Sequence, residues 1–98
     1  MGVLDGKAAI VTGSARGIGR ATAELLAEHG ARVLVNDLDA DLAEEAAREI
    51  GRDAAAFAGD LTRQGVCEEL VERAADAFDR LDIVVNHAGF TWTGRSTG

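Results

Sequence analysis

The chain is 98 residues long and 47% hydrophobic, which suits one small domain with a packed core and excludes composition-driven disorder. Its formal charge of −7 argues against a nucleic-acid backbone or an anionic membrane surface as the main partner, and no apolar run approaches membrane-spanning length. The single Cys67 cannot close an internal disulfide, which points to a reducing, cytoplasmic setting, and Asp5 and Lys7 interrupt any apolar leader pattern.

Residues 7–12 read as a buried strand carrying the β-branched Ile10, Val11 and Thr12. A glycine-rich stretch follows, and then a helix over about 17–29 whose inward stripe is expected at Ile18, Ala21, Thr22, Leu25 and Leu26. His29 falls in its last turn, where a solvated histidine is the plain reading, and Gly30 stops it. The second strand is Arg32 to Asn36, and Asp37 ends it. Asp39 can cap a second helix over about 40–50, with a stripe of Leu42, Ala43, Ala46, Ala47 and Ile50. Ala54 to Ala58 form a short third strand, and Gly59 to Thr62 a loop in which Thr62 is a candidate N-cap. The third helix is expected over about 63–80, with Val66, Leu70, Ala74 and Phe78 on one face and Cys67 as a small core or helix residue. The fourth strand runs from Asp82 to Asn86, and its Ile83, Val84 and Val85 are expected to be buried on both sides.

Strands alternating with helices, β-α-β-α-β-α-β, imply a parallel sheet with right-handed crossovers. The fold class is α/β, half of a doubly wound Rossmann-type sheet with strand order 3-2-1-4. The domain is placed at 1–89, followed by a polar, glycine-rich tail at 90–98 that shows no periodicity. In such sheets ligands bind at the carboxyl ends of the strands, beside the point where strand order reverses.

Two features fall at those ends. The first is Thr12-Gly13-Ser14-Ala15-Arg16-Gly17-Ile18-Gly19, between the first strand and the first helix. Glycines let backbone N–H groups approach a phosphate, and the helix start adds unpaired N–H groups and a positive dipole end. Three glycines alone could be a structural turn; between a strand and a helix they point to a dinucleotide phosphate site. The second is Asp37, 24 residues beyond Gly13, at the end of the second strand. It is either a strand-end aspartate or an acceptor for ribose hydroxyls. A carboxylate there repels a 2′-phosphate, and Leu38 adds no positive charge, so the expected cofactor is NAD rather than NADP. Arg16 then serves the pyrophosphate or faces solvent. Asp60 alone reads as an Asx turn or cap before the third helix. The glutamates on the helices read as solvated faces, and no His/Cys cluster suggests a metal.

The loop resembles the TGxxxGIG cofactor loop of the short-chain dehydrogenase/reductase family, with Thr12, Gly13, Gly17, Ile18 and Gly19 in place. Gly59-Asp60-Leu61-Thr62 resembles the family's adenine-contacting segment, and Asn86-His87-Ala88-Gly89 its NNAG segment. The resemblance covers about residues 3–89 and lies near the oxoacyl reductases and the sugar or alcohol dehydrogenases. It implies that Asp60 contacts the adenine amino group and Leu61 packs on the ring. It also implies that Asn86 helps hold the central strands while Ala88 and Gly89 leave room for the cofactor ribose. His87 departs from the pattern and is read as a structural strand-end residue, not a catalyst. The expected NAD contacts are therefore Gly13, Ser14, Ala15, Arg16, Gly17, Ile18, Gly19, Asp37, Leu38, Asp60, Leu61, Asn86, Ala88 and Gly89.

The family's Tyr-x-x-x-Lys pair has no counterpart here: the chain contains no tyrosine, and its one lysine is Lys7. The sequence thus reads as the N-terminal, cofactor-binding half of an NAD-dependent oxidoreductase acting on a carbonyl/alcohol pair, with no catalytic residue and no metal of its own. The alternative is a non-enzymatic nucleotide-binding or self-associating module. An open fourth-strand edge is expected to drive association, an antiparallel two-fold dimer being one solution.

Overall fold

A computed structural model of the chain describes residues 2–87. Strand β1 (Ala8–Thr12) is buried along its whole length. It is followed by α1 (Gly17–Glu28), β2 (Arg32–Asp37), α2 (Ala40–Ile50), β3 (Ala55–Ala58), α3 (Val66–Phe78) and β4 (Ile83–Asn86). The four strands form one parallel sheet in the order β3-β2-β1-β4, the α/β arrangement expected from the sequence. Register is fixed by Ile10 opposite Leu34 on one side and Val84 on the other. Order reverses at β1, so the carboxyl ends of β1, β2 and β4 open onto a common edge.

Alternation along β1 divides the core in two. Ala9 and Val11 join Val33 and Val35 beneath α1 and α2, against Ala23, Ala27, Ala43, Ala46 and Ala47. Ala8 and Ile10 join Leu34 on the opposite face, beneath Leu70, Ala74 and Phe78 of α3. The first layer is built almost wholly from alanine and valine, which brings its helices close to the sheet; the second uses larger side chains under a single helix.

Helix α1 departs from the expected stripe. Its buried residues are Gly19, Ala23 and Ala27, spaced by four, whereas Ile18 and Leu25 are 76% and 54% exposed and Ala21 also faces solvent. Small side chains at that spacing allow the close helix–sheet approach that branched or long ones would block. Leu26 packs partly against the core, and Thr22 is half-buried. Helix α2 follows expectation: Asp39 accepts hydrogen bonds from the Asp41 and Leu42 amides as N-cap, and the alanine face is buried.

Helix α3 is shorter than expected, and its N-cap is Gly65, not Thr62. The Thr62 amide and hydroxyl both donate to Asp60 Oδ1, which commits Thr62 to an Asx turn ahead of the helix. At the other end Arg32 Nη2 donates to the Phe78 carbonyl at 2.8 Å, and its guanidinium lies 5.3 Å from the Phe78 ring centre, a cation at a helix C-terminus. Strand β4 is not buried on both sides: Val84 is 48% exposed, and Ile83 and Val85 are half-buried. It is an edge strand among the described residues, paired only with β1. Ala88, Gly89 and the tail at 90–98 lie outside the described residues.

Candidate functional site

The loop from β1 to α1 turns on two positive φ angles, 59° at Gly13 and 67° at Gly17. Side-chain-bearing residues pay for that region of φ/ψ space and glycine does not. Gly19 is constrained for a different reason. A Cβ built on it would lie 2.1 Å from the Gly13 carbonyl oxygen and 2.9 Å from its carbon, so the first turn of α1 rests directly on the loop's own backbone. The N-cap of α1, Arg16, is extended and makes no side-chain cap, in contrast to Asp39 on α2. The first-turn amides of α1 are therefore left facing outward without an internal acceptor of that kind, a donor set suited to an anion.

Ser14 has a role the sequence did not reveal. It is fully buried. Its hydroxyl donates to the Val11 carbonyl at 2.5 Å and accepts from the Asn36 amide at 3.1 Å, while its own amide donates to the Asn36 carbonyl at 2.8 Å. The side chain thus extends the β1–β2 pairing past the strand ends and leaves only backbone for a ligand. Asn36, unmarked by sequence reasoning, is the partner in this brace. Its Nδ2 donates to the Phe57 carbonyl at 3.1 Å, and its Oδ1 lies 3.4 Å from the Gly13 amide, linking β3, β2 and the loop. A buried polar residue at a strand end was the available signal.

A cleft of about 240 Å³ opens beside this brace, lined by Gly13, Asn36, Asp37, Leu38, Gly59, Asp60, Leu61 and Thr62. It gathers three of the separated sequence segments. Asp37 Oδ1 accepts from the Leu38 amide at 2.8 Å, and Oδ2 lies 3.4 Å from the Ala15 amide. These contacts orient the carboxylate and leave it lone pairs to accept more. Asp60 is oriented by Thr62, and the Thr62 hydroxyl first and amide second hold its carboxyl below the usual range. Leu38 is 72% exposed on one side; Leu61 is buried and continues into the core beneath α3.

Two acceptor-only carboxylates at one end and outward amides at the other give the cleft a polarity. The acidic end suits hydroxyl and amino donors and repels anions; the loop end suits a phosphate. Arg16 and Ile18 stand exposed at the loop end. Asn86 lies apart from the cleft lining, at the end of β4, where the Thr12 hydroxyl donates to its Oδ1 at 3.0 Å. That places it as a clasp between β1 and β4.

A parallel α/β sheet whose order reverses beside a glycine-rich strand-to-helix loop defines a doubly wound, Rossmann-type protein. A profile described as short chain dehydrogenase matches residues 7–97, and the chain belongs to that family. It is 47% identical over 85 residues to a sorbitol dehydrogenase of Cereibacter sphaeroides, covering 87% of this chain and 33% of that one. Among solved structures it is similar to apo glucose dehydrogenase of Caenorhabditis elegans, with TM-score 0.82, 35% identity and coverage of 91% and 40% of the two chains. It is also similar to a 3-ketoacyl-(acyl-carrier-protein) reductase of Brucella melitensis complexed with NADH, with TM-score 0.79, 38% identity and coverage of 83% and 34%. The chain thus spans about a third of the length of such relatives.

Proposed function

We propose that this chain is the cofactor-binding portion of an NAD-dependent oxidoreductase acting on a carbonyl/alcohol pair. The observation that carries the reading is Asp37, an oriented carboxylate at the end of β2 on the same cleft as Gly13. The bound nicotinamide would supply the hydride acceptor or donor. The chain's own residues bind and orient. The Gly13–Gly19 backbone and the α1 amides receive the pyrophosphate, with Arg16 exposed beside them. Asp37 accepts from the ribose hydroxyls and disfavours a 2′-phosphate. Asp60, held ionised by Thr62, accepts from the adenine amino group, and Leu38 and Leu61 border the ring. Asn86, clasped by Thr12, fixes the end of β4 from which Ala88 and Gly89 continue.

Proton transfer to a substrate oxygen needs a positioned acid, and with no tyrosine in the sequence the chain offers none of the kind its family uses. Turnover therefore requires residues other than these. The exposed Val84 on edge strand β4 favours a second reading, in which the half-sheet also serves as a self-associating module. Titration calorimetry with NADH and NADPH tests the main proposal. Preference for NADH supports it; equal or tighter NADPH binding refutes the role given to Asp37.

A further inference from the structure

The family-like segment at the end of β4 carries a histidine where the pattern has asparagine, and the proposed cofactor contacts make no use of it. Its surroundings do. The His87 amide donates to Thr12 Oγ1 at 2.9 Å, tying it to the end of β1. Its ring Nε2 lies 3.2 Å from Thr22 Oγ1, on the second turn of α1. Thr22 Oγ1 in turn lies 2.9 Å from the Ile18 carbonyl, which only accepts. With the hydroxyl proton directed to that carbonyl, the hydroxyl accepts from His87, and this arrangement needs the ring proton on Nε2.

The geometry points to His87 as a positioning residue that fastens α1, through Thr22, to the joined ends of β1 and β4. One residue holds three elements: its backbone on the Thr12 clasp and its side chain on the helix whose first turn rests on the Gly13 carbonyl. Asparagine in its place, one bond shorter from Cβ to its donor end, would not span the same gap without moving the helix. The consequence for ligand binding rests on the cofactor reading above: by setting where the α1 amides stand relative to β4, His87 and Thr22 set the distance between the phosphate end and the nicotinamide end of the site.

The test uses the 98-residue chain labelled with ¹⁵N. It contains only two histidines, so His29→Gln separates their ring signals. Long-range ¹H–¹⁵N spectra should show His87 as the Nε2–H tautomer, and Thr22→Val should return it to the mixture of an unconstrained ring. His87→Ala, Thr22→Val and the double variant should each weaken NADH binding by the same factor, about three- to tenfold, the weight of one net hydrogen bond. His87→Gln, whose amide reaches as a donor, should recover most of the loss; a residue needed only for stability would give no such pattern across variants of unchanged melting temperature. A tautomer mixture in the parent chain, a tautomer indifferent to Thr22→Val, or losses that add in the double variant would overturn the proposal. A fixed tautomer that depends on Thr22 in a chain that binds no NADH would uphold the bridge and sink the cofactor reading instead.

Discussion

Replacing Gly19 by alanine separates a steric role from a conformational one. Helix propensity alone favours the change by roughly 0.8–1 kcal/mol, since Gly19 lies inside α1. The structure predicts the opposite sign. The new Cβ would sit 2.1 Å from the Gly13 oxygen and 3.1 Å from Ser14 Cα, both backbone. Restoring a contact of about 3.0 Å needs a shift of about 0.9 Å in a loop pinned by Ser14 and Asn36. Overpacking of this kind costs about 1–3 kcal/mol. The net expectation is a melting temperature lower by about 5–10 °C for a domain of this size. NADH affinity should fall more than tenfold, because the donors of the loop and of α1 move apart. Gly17→Ala is the control: a Cβ there meets nothing within 4 Å, so only the strain of φ 67° applies, about 1–2 kcal/mol. Circular dichroism melts and NADH fluorescence titrations read both quantities. A Gly19→Ala chain as stable as the parent, with undiminished NADH affinity, would refute the role given to this contact.

Other expectations follow from single interactions. Asp37→Ala should weaken NADH binding about tenfold, the weight of charge-assisted hydrogen bonds, and narrow the preference over NADPH in calorimetry. Asp82 is held at a pKa of about 2 by the Arg80 guanidinium and then by the Ala8 amide. Its folded value lies below its unfolded one, so its contribution is present above the ordinary aspartate range and is lost as pH falls from about 4 towards 2. Asp82→Asn should flatten the urea midpoint across that window, and an unchanged pH profile would count against it. The purified chain should not turn over alcohols or ketones with NAD(H); activity surviving removal of host enzymes would contradict this. Sedimentation velocity should show association that rises with concentration, and Val84→Lys on β4 should reduce it, whereas a sharp monomer throughout would show that the edge is already closed.

The sheet was readable because the period of each element was clear: Val33 to Val35, Ile83 to Val85 and the four-spaced Leu70, Ala74 and Phe78 leave little choice of class. Helix α1 was misread because hydrophobicity drew attention to Ile18 and Leu25, while packing against a close sheet selects size. The Gly19, Ala23, Ala27 spacing carried that information. Strand β4 was expected to be covered on both faces from its composition alone, but coverage depends on neighbours in space, and at Val84 there is too little of it. At the site, Asp37 and Asp60 were legible as carboxylates at strand ends. Ser14 was not legible as a brace, because its role depends on Asn36, a partner 22 residues away that only the β1–β2 register brings into reach. Thr62 was expected to cap α3 and instead orients Asp60, since both of its donors reach the same carboxylate oxygen before the helix begins.

The central claim is that one cleft joins the glycine loop to the carboxylates of β2 and of the Asp60 turn as a dinucleotide site. Amide chemical shifts of the ¹⁵N-labelled chain during NADH titration test it most directly. Saturable shifts should concentrate at Gly13 to Gly19, Asp37, Leu38 and Asp60 to Thr62, and leave the far ends of the strands, such as Ala8 and Arg32, in place. Saturable shifts elsewhere, or none at millimolar NADH in a folded chain, would contradict it.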